Sequence, residues 1–407
     1  MNRYDSYKDS GVEWIGEIPN IWKTVQIKRL CSVKRGSSPR PIDDPKYFHD
    51  NGEFSWVRIS DVSKSERYLE KTKETLSELG STLSTKILPN DIFLSIAGSV
   101  GKPIITKIKC CIHDGFVWFD GLNYDKELLY YIFSLGKCFS GLGKMGTQLN
   151  LNTESVGMIN IPLIPLSEQQ QIVSFLDDKT QKIDSLIQQK EKKIELLKEK
   201  RTSLINHVVT KGLDSNVEMK DSGVEWIGEI PNHWDFIPLK RIVKICNGKD
   251  YKHIEVEEGG YPVFGTGGEF SRCSDFLYKG PSVGLGRKGT IDKPMFIDEP
   301  FWTSDTLYYT EIGDKVLPIY FYFLVKQIPF SLYKNGGIIP SMTKTDYEEM
   351  RFPLPEIVEQ QQIVEYLDKQ TEEIDTLIQL EQKKIDTLKE YRQSLISEVV
   401  TGKIKVV

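Results

Sequence analysis

The chain has 407 residues, which is long enough for two or three domains. Of these residues 39% are hydrophobic and 27% are charged, a composition typical of a globular protein. No run of about 18 apolar residues occurs and the N-terminus is polar, so we expect neither a membrane span nor a signal peptide. The 6 cysteines lack paired Cys-x-x-Cys spacing, which predicts reduced thiols and a cytoplasmic location. Residues 23–160 hold 19 Lys and Arg against 15 Asp and Glu, whereas residues 235–355 hold 15 against 16, so phosphate binding would depend on local patches.

A short repeat near the start of the chain returns in its middle. Residues 8–22, Lys-Asp-Ser-Gly-Val-Glu-Trp-Ile-Gly-Glu-Ile-Pro-Asn-Ile-Trp, match residues 220–234 at 14 of 15 positions, with an offset of 212. Each copy precedes a variable segment and then a long helical stretch. We therefore predict a tandem duplication with pseudo-twofold symmetry. Its segments are a short repeat (1–22), a first variable domain (23–167), a central helical spacer (168–212), a linker with the second short repeat (213–234), a second variable domain (235–358) and a C-terminal helical spacer (359–407).

The two variable segments share little sequence, yet both are rich in Gly, Pro and aromatic residues with short runs typical of strands. Residues 91–96 and 116–119 are such runs in the first segment. Each segment also contains a stretch whose apolar spacing predicts a helix, at 127–135 and at 317–326. We predict two α/β domains with irregular sheets, in an α+β protein.

Glycine-rich loops with basic residues are the candidate binding sites of these domains. Glycine lets backbone N–H groups approach a phosphate, while Arg, Lys, Gln and Asn side chains can contact phosphates or base edges. The alternative is that these are solvated turns with ordinary surface charge. The candidate DNA-contacting residues are Lys34, Arg35, Arg40, Lys102, Gln148 and Asn150 in the first domain, and Lys249, Lys252, Arg287, Lys288 and Lys344 in the second.

The long helical stretches are also a repeat. Residues 168–210 match residues 359–401 at 27 of 43 positions, with an offset of 191. Their apolar positions recur every 3.5 residues on average, which indicates helices packed side by side in an antiparallel coiled coil; two separate core helices are the alternative. Ser167 and Gln170 predict a capping box at the first helix. The predicted seam consists of Ile183, Ile187, Lys190, Ile194, Leu197, Leu204, Ile374, Ile378, Glu381, Ile385, Leu388 and Leu395.

Lys190 and Glu381 are equivalent in the repeat and carry opposite charges within an apolar seam. A polar group there costs stability but fixes register and orientation. If the symmetry axis passes near their level, antiparallel packing brings the two charges together, which favours pairing within one chain. The alternative is that both side chains extend outward from the edge of the seam.

Catalytic patterns are mostly absent. Residues 98–102, Gly-Ser-Val-Gly-Lys, lack the spacing of a phosphate-binding loop, and no Asn-Pro-Pro-Tyr marks an adenine methyltransferase. Residues 43–46 match a nuclease carboxylate–lysine set only superficially, and Cys110, Cys111 and His113 offer no second pair of metal ligands. We expect a chain that is not an enzyme. A self-contained DNA-modifying enzyme and a coiled-coil scaffold without sequence specificity remain the alternatives.

The repeats resemble those of the specificity subunits of type I restriction–modification enzymes. The resemblance rests on the short repeat, on residues 161–170, Ile-Pro-Leu-Ile-Pro-Leu-Ser-Glu-Gln-Gln, and on the helix end at 204–210, Leu-Ile-Asn-His-Val-Val-Thr. It covers the whole chain, twice. The resemblance implies two target-recognition domains, each reading one half of a split, asymmetric site in double-stranded DNA, separated by helical spacers.

The resemblance also implies partners. Two adenine-methyltransferase subunits and, with them, restriction and motor subunits would assemble on the chain. S-adenosylmethionine, ATP and magnesium would belong to those partners, so we expect this chain to bind no cofactor itself. Recognition domains vary by nature, so the resemblance assigns no base-contacting residue.

Overall fold

The structure is a computed structural model that describes residues 3–142, 151–333 and 340–406. The chain divides into two units, one formed by residues 1–190 and 383–407 and the other by residues 191–382. Each unit thus contains one variable domain, the beginning of one long helix and the end of the other.

The elements of the first half of the chain are mostly short strands. They are β1 (Tyr7–Asp9), β2 (Glu17–Pro19), β3 (Lys23–Gln26), β4 (Ser32–Arg35), β5 (Phe54–Val57), α1 (Ile59–Lys64), β6 (Tyr68–Leu69), β7 (Glu74–Leu76), α2 (Glu78–Thr82), β8 (Thr85–Ile87), β9 (Ile92–Ser95), β10 (Pro103–Thr106), β11 (Cys110–Ile112), β12 (Phe116–Asp120), α3 (Lys126–Ser134), α4 (Thr153–Gly157), β13 (Asn160–Leu163) and α5 (Leu166–Lys211).

The second half repeats this pattern. Its elements are β14 (Met219–Asp221), β15 (Glu229–Pro231), β16 (Asp235–Pro238), β17 (Val243–Asn247), β18 (Glu255–Val256), β19 (Tyr261–Gly265), β20 (Gly268–Cys273), β21 (Ser282–Gly286), β22 (Met295–Ile297), β23 (Trp302–Thr303), β24 (Leu307–Ile312), α6 (Pro318–Val325), α7 (Lys344–Glu349), β25 (Arg351–Leu354) and α8 (Ile357–Val400).

Two sheets form each variable domain, and parts of their strand orders correspond between the two domains. In the first domain the strand orders are β4-β12-β9-β10-β6 and β7-β5-β11-β8, and in the second they are β17-β24-β21-β22 and β18-β20-β19-β23. One pair in each second sheet is parallel, β5 with β11 and β19 with β23. The predicted α+β class is confirmed, and two segments that share little sequence share part of their strand order.

The core explains why these runs form strands. All four residues of β9 are buried, as expected for a strand covered on both faces. Helix α3 packs against β10, and Asp125 caps it by accepting hydrogen bonds from the N–H groups of Glu127 and Leu128, both at 2.9 Å. The predicted helices at 127–135 and 317–326 are present, and each of their four ends differs from the prediction by one residue.

The long helices pair antiparallel within each unit. In the second unit, Lys193 contacts Glu381 at 3.0 Å and Arg201 contacts Asp375 at 3.1 Å, so the partner number falls as the α5 number rises. In the first unit, Arg392 contacts Asp184 at 2.9 Å. Asp184 and Arg201 have Asp375 and Arg392 as their equivalents at offset 191, so the repeat supplies the same interhelical ion pair to each unit.

The predicted seam faces inward. Ile183, Ile187, Ile194, Ile374, Glu381, Ile385 and Leu395 are buried, while Lys190, Leu197, Leu204, Ile378 and Leu388 are half-buried. The coiled-coil interpretation is therefore confirmed. Glu381 is only 3% exposed and is neutralised by Lys193. Its pairing with Lys190 stays a prediction.

The predicted capping box of the first long helix is wrong. Helix α5 begins at Leu166, so Ser167 lies inside the first turn. The carbonyl of Pro165 accepts the N–H groups of Glu168 and Gln169 instead, at 2.9 and 3.1 Å. Pro165 therefore occupies the position before the helix, and its carbonyl accepts the first backbone bonds of α5.

Each short repeat contacts the first turn of a long helix. Trp22 and Trp234 are almost completely buried, and their indole N–H groups donate to Glu168 and Glu359, at 3.1 and 3.0 Å. These carboxylates begin the Glu-Gln-Gln-Gln motif of each helix. The identical residues in the two copies thus form the same contact twice, between a short repeat and the first turn of a long helix.

The next residue of that motif joins each helix to its variable domain. The side-chain carbonyl of Gln169 accepts the N–H of Asp125 at 2.8 Å, and that of Gln360 accepts the N–H of Leu317 at 2.8 Å. Asp125 and Leu317 are the N-caps of α3 and α6. Both glutamines are buried, so each fixes a domain helix against a long helix.

Candidate nucleic-acid interface

The first domain brings two predicted arginines together around Asp114. Arg35, at the end of β4, donates from Nε to the Asp114 carbonyl at 2.7 Å, and Arg40 forms an ion pair with the Asp114 carboxylate at 3.3 Å. Gly36 makes this approach possible, since a Cβ there would lie 2.2 Å from the His113 carbonyl oxygen. A carbonyl contact uses one of the five arginine N–H donors and so orients the guanidinium for a further partner.

Lys102 lies at the same edge of the sheets. Its Nζ donates to the carbonyl of Ser63, in α1, at 3.2 Å, and burial lowers its pKa. The loop preceding it is joined to the Asp114 region, because the N–H of Ile96 donates to the Gly115 carbonyl at 2.9 Å. Arg35, Arg40 and Lys102 therefore belong to one set of neighbouring loops.

Lys34 is placed differently. It lies on β4 opposite Trp118, 5.8 Å from the centre of that ring, and forms an ion pair with Asp120 at 2.5 Å. Its charge is therefore compensated on the strand, away from the loop set. Gln148 and Asn150, the other predictions in this domain, lie outside the described residues.

The second domain gathers its basic residues around Asp305. Arg287 donates from Nη1 to the Asp305 carbonyl at 3.1 Å, and its own carbonyl accepts the N–H of Met342 at 3.1 Å. The following residue, Lys288, pairs with Ser341 in a β-bridge. The backbone N–H of Lys249 donates at 2.8 Å to the carbonyl of Thr303, which ends β23 shortly before Asp305 in the chain. These loops meet at one edge, as in the first domain.

Two predicted lysines of the second domain have acidic neighbours. Lys252 forms an ion pair with Glu255 at 3.0 Å, which raises its pKa, and lies 4.9 Å from the ring of Tyr251. Lys344 begins α7 and contacts Glu348 at 3.5 Å. Both are compensated in part, so Lys249, Arg287 and Lys288 are the stronger candidates.

The sequence reasoning missed Asp114 and Asp305, which hold the arginines. Each follows the second strand of the parallel pair, β11 or β23, and the two are separated by 191, the offset of the long helices. Likewise, Gly36 and Gly248 are separated by 212, the offset of the short repeats; a Cβ at Gly248 would lie 1.9 Å from the Ser304 carbonyl oxygen. Extending the two repeat offsets into the variable segments would have found all four positions.

Neither a metal site nor a membrane span is found in the part of the chain that the structure describes. No group of three or more His, Cys, Asp or Glu side chains could hold a metal ion there. Within the same residues, no helix combines the length and apolar character needed to cross a membrane.

The fold and the loops together define a class, an internally duplicated α+β protein whose two domains each present a basic loop edge. The model of the type I restriction modification DNA specificity domain matches residues 19–196 and 231–390. The chain belongs to this family, the specificity subunits of type I restriction–modification systems, and its variable domains are the two target-recognition domains.

Relatives in Methanocaldococcus jannaschii align along nearly the whole chain. The type I restriction enzyme MjaVIII specificity subunit is 25% identical over 427 positions, covering 96% of this chain and 94% of that relative. The putative type I restriction enzyme MjaX specificity subunit is 26% identical, covering 96% of each chain.

Solved structures show the same fold. One, from work on complex assembly and conformational transition of the type I R-M system, gives a TM-score of 0.77 at 17% identity, covering 95% of this chain and 99% of that chain. The HsdS subunit from Thermoanaerobacter tengcongensis gives a TM-score of 0.54 at 17% identity, covering 95% and 98%.

Proposed function

We propose that each recognition domain reads one half of a bipartite, asymmetric site in double-stranded DNA, and that the paired helices set the spacing between the halves. The observation that supports this proposal is a shared contact in two domains whose loops carry different side chains. In both domains an arginine donates to the carbonyl of the Asp that follows the parallel strand pair. It comes from the end of β4 in the first domain and from the end of β21 in the second.

The physical argument concerns what differs between the two loop edges. Equivalent frames place their loops in the same way against a duplex, whereas different side chains on those loops contact different bases. Arg35 and Arg287 are the leading candidates for base contacts, because a held guanidinium suits bidentate contact with guanine. Lys102 and Lys249 are the leading candidates for phosphate contacts.

The assembly role follows from the same family membership. We propose that the paired helices and short repeats recruit two adenine-methyltransferase subunits and, through them, restriction subunits. S-adenosylmethionine, ATP and magnesium would then be bound by those partners, with this chain supplying recognition but no catalysis. A cytoplasmic location would accompany a DNA target and reduced cysteines.

Selection from a randomised duplex pool tests the proposal. The chain assembled with its methyltransferase partners should enrich two short half-sites separated by a fixed, unspecified spacer. Exchanging residues 23–167 for the recognition domain of a relative should change one half-site and leave the other as it was. A flat selection profile would favour a scaffold without specificity, and methylation or cleavage by the isolated chain would favour a self-contained enzyme.

A further inference from the structure

Phe270 occupies an irregular position in the second recognition domain. In the β19–β20 hairpin, Val263 pairs with Ser271 and Phe264 pairs with Glu269, so Phe270 is the extra residue of a β-bulge. A bulge re-aims the side chain that it displaces and is often found beside functional sites. Phe270 is 53% exposed, although phenylalanine is among the residue types most often buried.

The ring is braced from behind but not covered. Tyr251 packs against it edge to face, with ring centres 5.4 Å apart. Gly265 also lies close to the ring, since a Cβ there would lie 3.1 Å from it. These contacts hold the ring in one direction while about half of its apolar surface stays in water, where burying it against a partner is favourable.

Phe270 borders the loops that carry the basic candidates. The Cβ position of Gly265 lies 3.4 Å from the Thr306 hydroxyl, and the Thr306 carbonyl accepts the N–H of Arg287 at 2.8 Å. Lys252 lies over the ring of Tyr251, which packs against Phe270. The nearby Glu269 is neutralised by Arg272 at 2.8 Å. An apolar ring among these cations suits a partner that combines phosphates with stacked bases.

We propose that Phe270 wedges against a base step of the half-site read by the second recognition domain. Apolar side chains inserted at a base step partly unstack it, and pyrimidine–purine steps resist this least. The selected step is therefore TA, CA or TG. In the first domain the strand equivalent to β19 is β5, which leads into helix α1 and not into a hairpin. The first domain therefore has no equivalent of the Phe270 bulge at this strand, and the wedge belongs to the second half-site alone. This inference rests on the proposed function, because it requires a second half-site.

The test uses the chain assembled with its methyltransferase partners, on the duplex that the wild-type assembly selects from a random pool. A 2-aminopurine base placed at each step of the second half-site reports unstacking as a rise in fluorescence. We expect a rise at one pyrimidine–purine step other than that of the adenine that a methyltransferase subunit would flip. Phe270→Ala should abolish it and weaken binding about tenfold, within the range for removing a stacked aromatic side chain. Phe270→Leu, which keeps an apolar wedge, should retain part of both.

Phe276→Ala is the matched control. Phe276 lies in the same domain, is 37% exposed and packs edge to face on Tyr261 at 5.1 Å, and its loss should leave the fluorescence rise unchanged. The inference is overturned if Phe270→Ala binds and unstacks like the wild type, if both alanine variants weaken binding equally, or if Phe270→Ala impairs subunit assembly instead. If the wild-type assembly selects no bipartite site, the proposed function itself fails, which is a separate result.

Discussion

Arg67 attaches the first recognition domain to helix α5, and its removal should loosen that attachment. Its guanidinium donates to Glu127 from Nε and Nη2 at 2.8 and 2.6 Å, and to Asp177 from Nη1 at 2.6 Å. Glu127 lies in the first turn of α3 and Asp177 lies on α5. One side chain, itself only 17% exposed, therefore joins the domain to the helix.

The expected cost of Arg67→Ala follows from these contacts. A hydrogen bond to a charged group contributes about 1.5–3 kcal/mol, and here two carboxylates lose their partner. Glu127 is 26% exposed and Asp177 is 44% exposed, so water restores part of their solvation. We expect the first unit to lose about 3 kcal/mol, the lower end for breaking a buried ion pair. Its unfolding midpoint should then fall by about 6–12 °C.

Calorimetry of the full chain measures this loss, and a double-mutant cycle with Asp177→Asn isolates the ion pair. We expect a coupling energy of at least about 1 kcal/mol. Asp368→Asn is the matched control, because Asp368 is the equivalent of Asp177 at offset 191. Burial raises the pKa of Asp368, the opposite of what a neighbouring arginine would do, so the control should not destabilise the second unit. A loss below about 0.5 kcal/mol for Arg67→Ala, or strictly additive losses in the cycle, would refute the reasoning.

Three further predictions concern the seam, the loops and pH. Lys190→Glu and Glu381→Lys should each lower the midpoint of urea unfolding and the double variant should largely recover it, whereas additive losses would mean that the two side chains do not interact. Lys102→Ala and Lys249→Ala should each weaken binding to all duplexes alike and reduce the slope of log affinity against log salt by about one, and a change confined to one base pair would instead assign the lysine to base reading. Burial lowers the pKa of His113, so the stability that its neutral ring contributes is complete above the ordinary histidine pKa of about 6.5 and is lost as pH falls through the lower folded value. His113→Asn should therefore show a smaller loss of stability between pH 7.5 and 5.5 than the wild type, in urea titrations at both pH values.

The repeats made the architecture predictable from the sequence. The seam of α5 and α8 was read correctly because an apolar period of 3.5 residues depends on local spacing alone. The variable domains were predicted only as α/β, since their strands are two to six residues long and pair across distances that local pattern does not report. The start of α5 was misjudged because the helix begins at Leu166, directly after Pro165, which places Ser167 inside the first turn.

The sequence by itself determined the duplication, the helical seam and the family, because identical residues at fixed offsets require no knowledge of how the chain is folded. The sequence also predicted the basic loops, since glycine and cationic residues are recognisable from short stretches of sequence. Only the tertiary structure decided which of these residues act together. Arg35 and Arg40 meet at Asp114, and Arg287 meets Asp305, because the two sheets of each domain bring strand ends that are distant in the chain to one edge. The exposure of Phe270 also depends on strand register, which a sequence pattern does not contain.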